Sequence, residues 1–206
     1  MIHIIGDSHV KVFSGDDRLS LDIGKPSIYD KNKNIRTYHV GDCLAYSLGE
    51  RENHRYQTIK SITDKIPVTD TILFVLGEID VRMHLVKHDN ALYCVARYIT
   101  GVLELLRGHN KVYLYELHPI LNLNFTDRFV SNRNFGTFEE IESKRKEFNR
   151  HLHFFTNKVF SINGELDKIP EEKKINYYLD FWGLYNHLNL DFYPIVVNEL
   201  ALNGMI

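Results

Sequence analysis

Five short apolar runs recur along the chain, and longer segments with helical spacing separate most of them. Each run is rich in β-branched or aromatic residues and is followed by Gly, Asp, Pro or Asn, which is typical of buried parallel strands. The runs are Ile2–Ile5, Ile35–Val40, Thr71–Leu76, Lys111–Leu117 and Lys158–Ile162. The pattern therefore predicts five strands.

Three longer segments carry apolar residues at the spacing of a helix face. Asn90–Arg107 is followed by Gly108, a residue type that commonly ends helices. Thr137–Asn157 opens with a Thr-x-x-Glu capping box, and a last helix is predicted from about Leu190 to Leu202. These segments predict the helices that connect and cover the strands.

The alternation of strands and helices predicts an α/β protein with a five-stranded parallel sheet and right-handed crossovers. Helices on both faces would give a three-layer α/β/α, flavodoxin-like architecture, and 206 residues fit a single domain spanning 1–206. In such sheets the ligand lies beyond the carboxyl ends of the strands. The residues that follow each strand are therefore the candidate site.

Two polar, irregular segments interrupt this pattern. Ser14–Asn34 is predicted to be an excursion near the site or an edge hairpin. Leu121–Gly136 is predicted to form one wall of a substrate cleft.

Composition narrows the class of protein. Hydrophobic residues make up 44% and charged residues 25%, which excludes a disordered chain. The 25 Lys and Arg against 27 Asp and Glu leave a net charge of −2, so nucleic acid is not an expected partner. Neither a glycine-rich phosphate loop nor a dinucleotide fingerprint occurs in the sequence, and no cofactor is expected.

The cysteines and apolar runs indicate the compartment. Cys43 and Cys94 are isolated and predict buried thiols in a reducing environment, with no metal site. The segment Met1–Ile5 lacks the features of a secretory signal, and the apolar run Ile72–Leu76 is too short to span a bilayer. We expect a cytoplasmic protein that does not bind membranes, while its oligomeric state stays open.

Chemistry-bearing residues follow several of the predicted strands. Gly6-Asp7-Ser8-His9 follows the first strand, where Ser8 would lie near helix N–H groups that stabilise an anion, or would simply cap that helix. Gly41-Asp42 follows the second strand and is predicted to open a helix. Gly77–His84 follows the third and is dense in ionisable groups. His187 precedes the last helix.

In this order, the residues resemble the motifs of the SGNH (GDSL-type) hydrolase superfamily. Gly6-Asp7-Ser8 resembles its first block, Gly41 its second, Gly77-Glu78-Ile79-Asp80 its third and His187 its fifth. The GDSH and GEID-x-R motifs resemble a branch that is often associated with surface-glycan genes. The resemblance covers residues 2 to about 200 and implies the SGNH hydrolase fold.

The resemblance also implies roles for these residues. Ser8 would be the nucleophile and His187 the base that accepts its proton, because a serine hydroxyl is a weak nucleophile until an imidazole does so. The backbone N–H groups of Ser8 and Gly41 would hold the oxyanion.

The sequence departs from the family pattern at two positions. Ile79 stands where the family has an Asn that donates to the oxyanion, so Arg82, His84 or another backbone N–H would have to replace it. Leu184 stands where the family has the Asp that orients the histidine. Asp180 is the first candidate for that role, Asp191 the second and a backbone carbonyl the third.

The remaining candidates have structural alternatives. Asp80 is predicted to hold its turn, and Arg82 to pair with Glu78 or Asp80 rather than with a substrate carboxylate. His84 and His88 are four residues apart, a spacing that suits a metal pair but is more typical here of surface histidines. His118, at the end of the fourth strand, either touches substrate or belongs to a structural turn.

The function that the resemblance implies is a serine esterase that removes a small acyl group, most simply acetyl, from a hydroxylated substrate such as a glycan. The expected partner is therefore a small-molecule or glycan ester. Two alternatives stay open: an O-acyltransferase that uses the same residues, and a catalytically inactive binding or structural protein that keeps the fold.

Overall fold

The protein is described by a computed structural model that covers residues 1–16, 18, 22–121, 136–181 and 184–206. Within these residues five parallel strands form one sheet in the order β2-β1-β3-β4-β5. The strands are β1 (Ile2–Gly6), β2 (Ile35–His39), β3 (Thr71–Val75), β4 (Val112–Tyr115) and β5 (Val159–Phe160). All five predicted strands are present, the fifth shorter than its apolar run.

The helices follow the strands along the chain, as the alternating pattern predicts. Four short 3-10 helices lie at Ser8–Val10, Ala45–Gly49, Ile175–Tyr177 and Leu190–Phe192, and a π turn lies at Val81–Leu85. The α-helices are α1 (Lys11–Ser14), α2 (His54–Thr63), α3 (Glu78–Asp80), α4 (Val86–His88), α5 (Ala91–Leu105), α6 (Phe138–Phe155), α7 (Asn163–Asp167), α8 (Glu171–Lys174) and α9 (Tyr193–Leu202).

Helices cover both faces of the central strands. Every residue of β1 and of β3 is buried, and successive side chains of a strand point to opposite faces of the sheet. On the covering layers α5 packs against α6, and α1 packs against α9. The predicted capping box is confirmed at the start of α6, where Thr137 and Glu140 exchange hydrogen bonds of 2.7 and 3.2 Å. This is the three-layer α/β/α architecture that the sequence predicts.

The apolar faces of two helices are narrower than the sequence suggests. In α5, Val95 and Val102 are buried, but Leu92 and Leu103 are 50% and 69% exposed. In α6, Phe155 at the last turn is 40% exposed. Helical spacing predicts which side of a helix faces the core. Whether the residues at the margins of that side are buried depends on how far the neighbouring elements extend around the helix.

A short antiparallel hairpin, which the strand pattern does not predict, precedes the last helix. It consists of β6 (Tyr178–Phe181) and β7 (Leu184–Leu188). Leu179 pairs directly with His187, and the register is irregular between Leu179 and Phe181. His187 therefore lies on a strand, before the last helix as the sequence predicts.

The first irregular segment lies along the outer edge of β2. The N–H groups of Gly24 and Ser27 donate to the carbonyls of His39 and Thr37 at 3.0 and 2.8 Å, and Pro26 forms an antiparallel bridge with Tyr38. Of the two predictions for this segment, the edge hairpin is the one that matches these contacts. The predicted cleft wall falls largely on 122–135, outside the described residues.

Candidate active site

Ser8 lies directly beyond the carboxyl end of β1, at the first position of the 3-10 helix Ser8–Val10. The helix cap is not Ser8 but Asp7, whose carboxylate accepts the His9 backbone N–H at 3.0 Å. The interpretation of Ser8 as a capping residue is therefore wrong, and its hydroxyl is available for another partner. A side chain at Gly6 would lie 2.2 Å from the Val75 carbonyl oxygen, so glycine permits the close approach of β1 to β3 here.

The Ser8 hydroxyl donates a hydrogen bond to His187 Nε2 at 2.6 Å. The two residues are 179 positions apart in the sequence and meet because β7 packs against the turn after β1. The predicted approach of Ser8 and His187 to hydrogen-bonding distance is confirmed. A serine hydroxyl paired with an imidazole nitrogen is the arrangement that makes serine nucleophilic.

A second imidazole stacks on the ring of His187. The centroids of the His9 and His187 rings are 4.2 Å apart, with 15° between their planes. Asp7 Oδ1 accepts the His9 ring Nδ1–H at 2.8 Å as well as its backbone N–H, so this carboxylate fixes the His9 ring. The stack was not predicted, although His9 is adjacent to Ser8 in the sequence.

His118 completes a cluster of three imidazoles. Its ring lies 5.6 Å from the His9 ring, and its Nδ1 is hydrogen-bonded to the buried Tyr115 hydroxyl at 2.9 Å. His118 is thus fixed to the end of β4, as a structural turn requires, and it also faces the candidate site.

The surroundings of His187 favour its neutral form. Burial is the largest cause that lowers the pKa of His187, and the neighbouring charges of His9 and His118 add to it, bringing the value to about 2. At neutral pH the ring therefore has a nitrogen lone pair for the Ser8 proton, while the same surroundings disfavour the imidazolium that this transfer would form.

A partly open cleft of about 270 Å³ adjoins the imidazole cluster. Its walls combine polar groups from the ends of β1 and β3 with apolar groups from the end of β4. The lining residues are Asp7, His9, Val75, Leu76, Glu78, Tyr115, Leu117, His118 and Ile120. Ser8 is not among the residues that line this cleft, which reaches Ser8 through its two sequence neighbours Asp7 and His9.

Gly41 and Ser8 occupy equivalent positions after the neighbouring strands β2 and β1. Gly6 pairs with His39 in the sheet, and the Val40 N–H donates to the Gly6 carbonyl at 2.9 Å, so each residue lies two positions beyond this pair. Gly41 has a φ of +72°, which favours glycine. The prediction that Gly41-Asp42 opens a helix is wrong, because the next helical residue is Ala45.

Asp80 ties the turn after β3 to the loop that follows Gly41. Its carboxylate is fully buried and accepts the backbone N–H groups of Ala45 and Tyr46 at 2.6 and 3.1 Å. The Cys94 thiol donates to the same carboxylate at 3.4 Å. Burial raises the pKa of Asp80 to about 6, and the two backbone donors oppose this rise. These contacts match the predicted structural role of Asp80.

Glu78 lines the cleft and pairs with another ionisable residue of the turn after β3. Arg82 pairs with Glu78 at 2.8 Å, as the internal-pair alternative predicts. His84 is exposed, and its ring lies 6.4 Å from that of His88. Among the described residues no group of three or more His, Cys, Asp and Glu side chains is placed to hold a metal ion.

The acid that would orient His187 was predicted to be Asp180. Asp180 lies in β6, next to Leu179, the residue that pairs with His187. Its side chain is outside the described part of the structure, as is that of Leu184, so its role stays a prediction. Asp191, the second candidate, is exposed in the 3-10 helix Leu190–Phe192.

Two further predictions concern the thiols and the membrane. Cys43 and Cys94 are buried, as predicted, and burial raises the pKa of both thiols, that of Cys43 to about 12. In the part of the chain that is described, no helix has both the length and the apolar character needed to cross a bilayer.

The sequence matches no protein-family model and no curated protein. Solved structures match over nearly the whole chain. A lipolytic protein of the G-D-S-L family from Veillonella parvula has a TM-score of 0.58 at 13% identity, covering 98% of this chain and 96% of its own. A catalytic mutant of Axe2, an acetylxylan esterase from Geobacillus stearothermophilus, gives a TM-score of 0.58 at 13% identity, with coverages of 98% and 92%.

These structures define the class of fold. The five-stranded parallel α/β fold of this chain superimposes on these structures over nearly its whole length. The chain therefore has the SGNH (GDSL-type) hydrolase fold that the sequence analysis predicts.

Proposed function

We propose that this protein is an SGNH-type serine esterase that removes a small acyl group from a hydroxylated substrate. The observation that carries the proposal is the 2.6 Å hydrogen bond from the Ser8 hydroxyl to His187 Nε2, at the carboxyl end of β1. The location is where ligands bind in parallel α/β sheets. Neighbours of the same fold include proteins described as lipolytic and as acetylxylan esterases.

The reaction would proceed through an acyl-enzyme on Ser8. As Ser8 Oγ bonds to the acyl carbon, its proton moves to His187 Nε2 and the carbonyl electron pair moves onto the oxygen. When this intermediate collapses, the bond to the leaving alcohol breaks and the proton passes from His187 to the alkoxide. Water then attacks the acyl-enzyme by the same route, releasing the carboxylic acid and regenerating Ser8.

The cleft supports a small acyl group. Its volume of about 270 Å³ includes space open to solvent, and the buried side chains of Leu76, Leu117 and His118 bound it. Acetylated xylan is the ester that Axe2 is described as acting on, so a sugar acetate is the substrate class that we propose first.

Covalent labelling tests the proposal most directly. We expect a fluorophosphonate probe to label the folded wild-type protein at Ser8, and p-nitrophenyl acetate and acetylated xylo-oligosaccharides to release acetate. Ser8→Ala should abolish the labelling, whereas Ser47→Ala, which replaces a buried serine outside the site, should leave it intact. Folded wild-type protein that neither labels at Ser8 nor releases acetate would be an inactive member of this fold.

The protonation state of His187 can be measured without substrate. Because burial and neighbouring cations destabilise the imidazolium form, the pKa is lowered and the ring should stay neutral as the pH falls from 7.5 to 5. NMR titration of the ring protons, assigned with His187→Gln, should show no shift for His187 over this range. Exposed histidines in the same spectrum, with an ordinary pKa of about 6.5, should titrate. A His187 midpoint near 6.5 would contradict the expectation.

A further inference from the structure

The third SGNH block of this chain lacks a side-chain donor for the oxyanion. The Ile79 side chain has no polar group, and of the two basic residues that the sequence offers in its place, one is ion-paired and the other is exposed. Arg82 is held by Glu78, and His84 is exposed beside His88. The negative charge that develops on the carbonyl oxygen would therefore rely on the backbone N–H groups of Ser8 and Gly41, unless another cation lies nearby.

The side chain of one cationic residue, Arg55, lies against Gly41, whose N–H is one of these two backbone donors. Arg55 is in the first turn of α2, where the Asn53 side chain accepts its backbone N–H at 2.8 Å and fixes the start of the helix. A Cβ built on Gly41 would lie 2.9 Å from both Nη1 and Nη2 of Arg55 and 3.1 Å from its Cζ. The guanidinium thus occupies the space that any side chain at position 41 would fill.

Among the described residues, no carboxylate forms an ion pair with Arg55. The other arginines near the end of the sheet are paired: Arg82 with Glu78, and Arg145 with Glu142. Arg55 is partly buried, so its field is screened less than that of a surface cation. Burial and the charges of Asp7 and Asp80 raise the pKa of the Cys43 thiol, two residues after Gly41, and the charge of Arg55 opposes this rise.

We propose that Arg55 stabilises the oxyanion from behind Gly41, in place of the amide that Ile79 cannot supply. The oxyanion would accept a hydrogen bond from the Gly41 N–H at about 2.9 Å. The Arg55 guanidinium packs against the same residue, so the two opposite charges would lie on either side of Gly41. A preorganised charge in a partly dry site acts mainly on the transition state, because the carbonyl oxygen of the bound ester carries little charge. This inference rests on the proposed esterase function.

The test compares Arg55→Met with Arg51→Met. Methionine keeps much of the length of the arginine stem but removes the charge. We expect Arg55→Met to lower kcat for p-nitrophenyl acetate by about 10²-fold, the lower end of the range for one oxyanion donor, with KM changed less than threefold. Arg51 is exposed and pairs with Glu104, so Arg51→Met should leave kcat unchanged.

Two further measurements separate an electrostatic role from a structural one. Added guanidinium ion, at millimolar concentrations that do not unfold the protein, should restore part of the lost turnover in Arg55→Ala, and Arg55→Lys should retain more activity than Arg55→Met. A boronic acid that forms an anionic adduct on Ser8 should bind Arg55→Met more weakly by about the same factor as the loss in kcat. A purely structural role would lower the thermal midpoint and give no rescue.

The outcomes distinguish this inference from the function on which it rests. Ser8-dependent turnover that is equal in wild type and Arg55→Met would overturn the role of Arg55 and leave the esterase function standing. A wild-type protein without Ser8-dependent turnover would overturn both. Loss of kcat without guanidinium rescue, together with unchanged boronate affinity, would assign Arg55 to packing alone.

Discussion

Replacing Ser8 or His187 by alanine is expected to lower kcat for p-nitrophenyl acetate by at least about 10⁴-fold in either case. The two side chains act as one unit, because the 2.6 Å hydrogen bond between them is the route by which the Ser8 proton leaves. The double variant should therefore be no slower than the slower single variant. His88→Ala, which changes an exposed histidine, is the matched control and should retain full activity.

Initial rates at saturating substrate, with folding checked by circular dichroism, make this comparison direct. Losses that multiply in the double variant would mean that Ser8 and His187 act independently, which the hydrogen bond between them argues against. Residual activity in the double variant above the rate in buffer would report the oxyanion donors and substrate binding alone.

The central sheet could be predicted from the sequence because its strands are buried on both faces. A fully buried strand such as β3 is apolar at nearly every position, and this leaves an almost continuous apolar run bounded by turn residues. The edge strand β5 contains only Val159 and Phe160, because its pairing with β4 is confined to these two residues. Strand existence thus followed from burial, while strand length depended on pairing.

The hairpin β6–β7 could not be predicted from apolar periodicity. The residues of β6 and β7 mix aromatic, polar and aliphatic types without a regular apolar period. The two strands are also separated by only a few residues of sequence. In the sequence, this segment is marked only by His187, and nothing in its motif indicates a strand. The strand assignment comes from pairing such as Tyr178 with Leu188, which single-residue propensities do not contain.

The part of the candidate site that could be predicted consists of residues next to predicted strands and helices. Ser8 and His187 were singled out because their order among the predicted elements resembles the SGNH blocks. The approach of the Arg55 guanidinium to Gly41 was missed, since no spacing rule connects these two residues. The stack of His9 on His187 was missed for the same reason, although the neighbouring Ser8 was identified.

In the proposed mechanism His187 must be held in one orientation as the base, and two groups in this chain are suited to the task. By resemblance the group is Asp180, which precedes the histidine as the family acid does and lies in β6 next to the residue that pairs with His187. By geometry it is the His9 ring, which Asp7 fixes and which stacks on His187 at 4.2 Å. The two contributions can be separated, because a carboxylate acts on a ring nitrogen and a stacked ring acts on the ring face.

If Asp180 is the orienting acid, Asp180→Asn is expected to lower kcat by on the order of 10⁴-fold with little change in thermal stability, because the amide favours the wrong tautomer of the imidazole. Asp167→Asn, at an exposed aspartate, is the matched control. Unchanged kcat in Asp180→Asn would remove the carboxylate from the mechanism. In that case His9→Ala should lower kcat and His9→Phe, which keeps a flat ring against His187, should recover part of the loss. Full activity in all three variants would mean that the β7 backbone holds His187 in place.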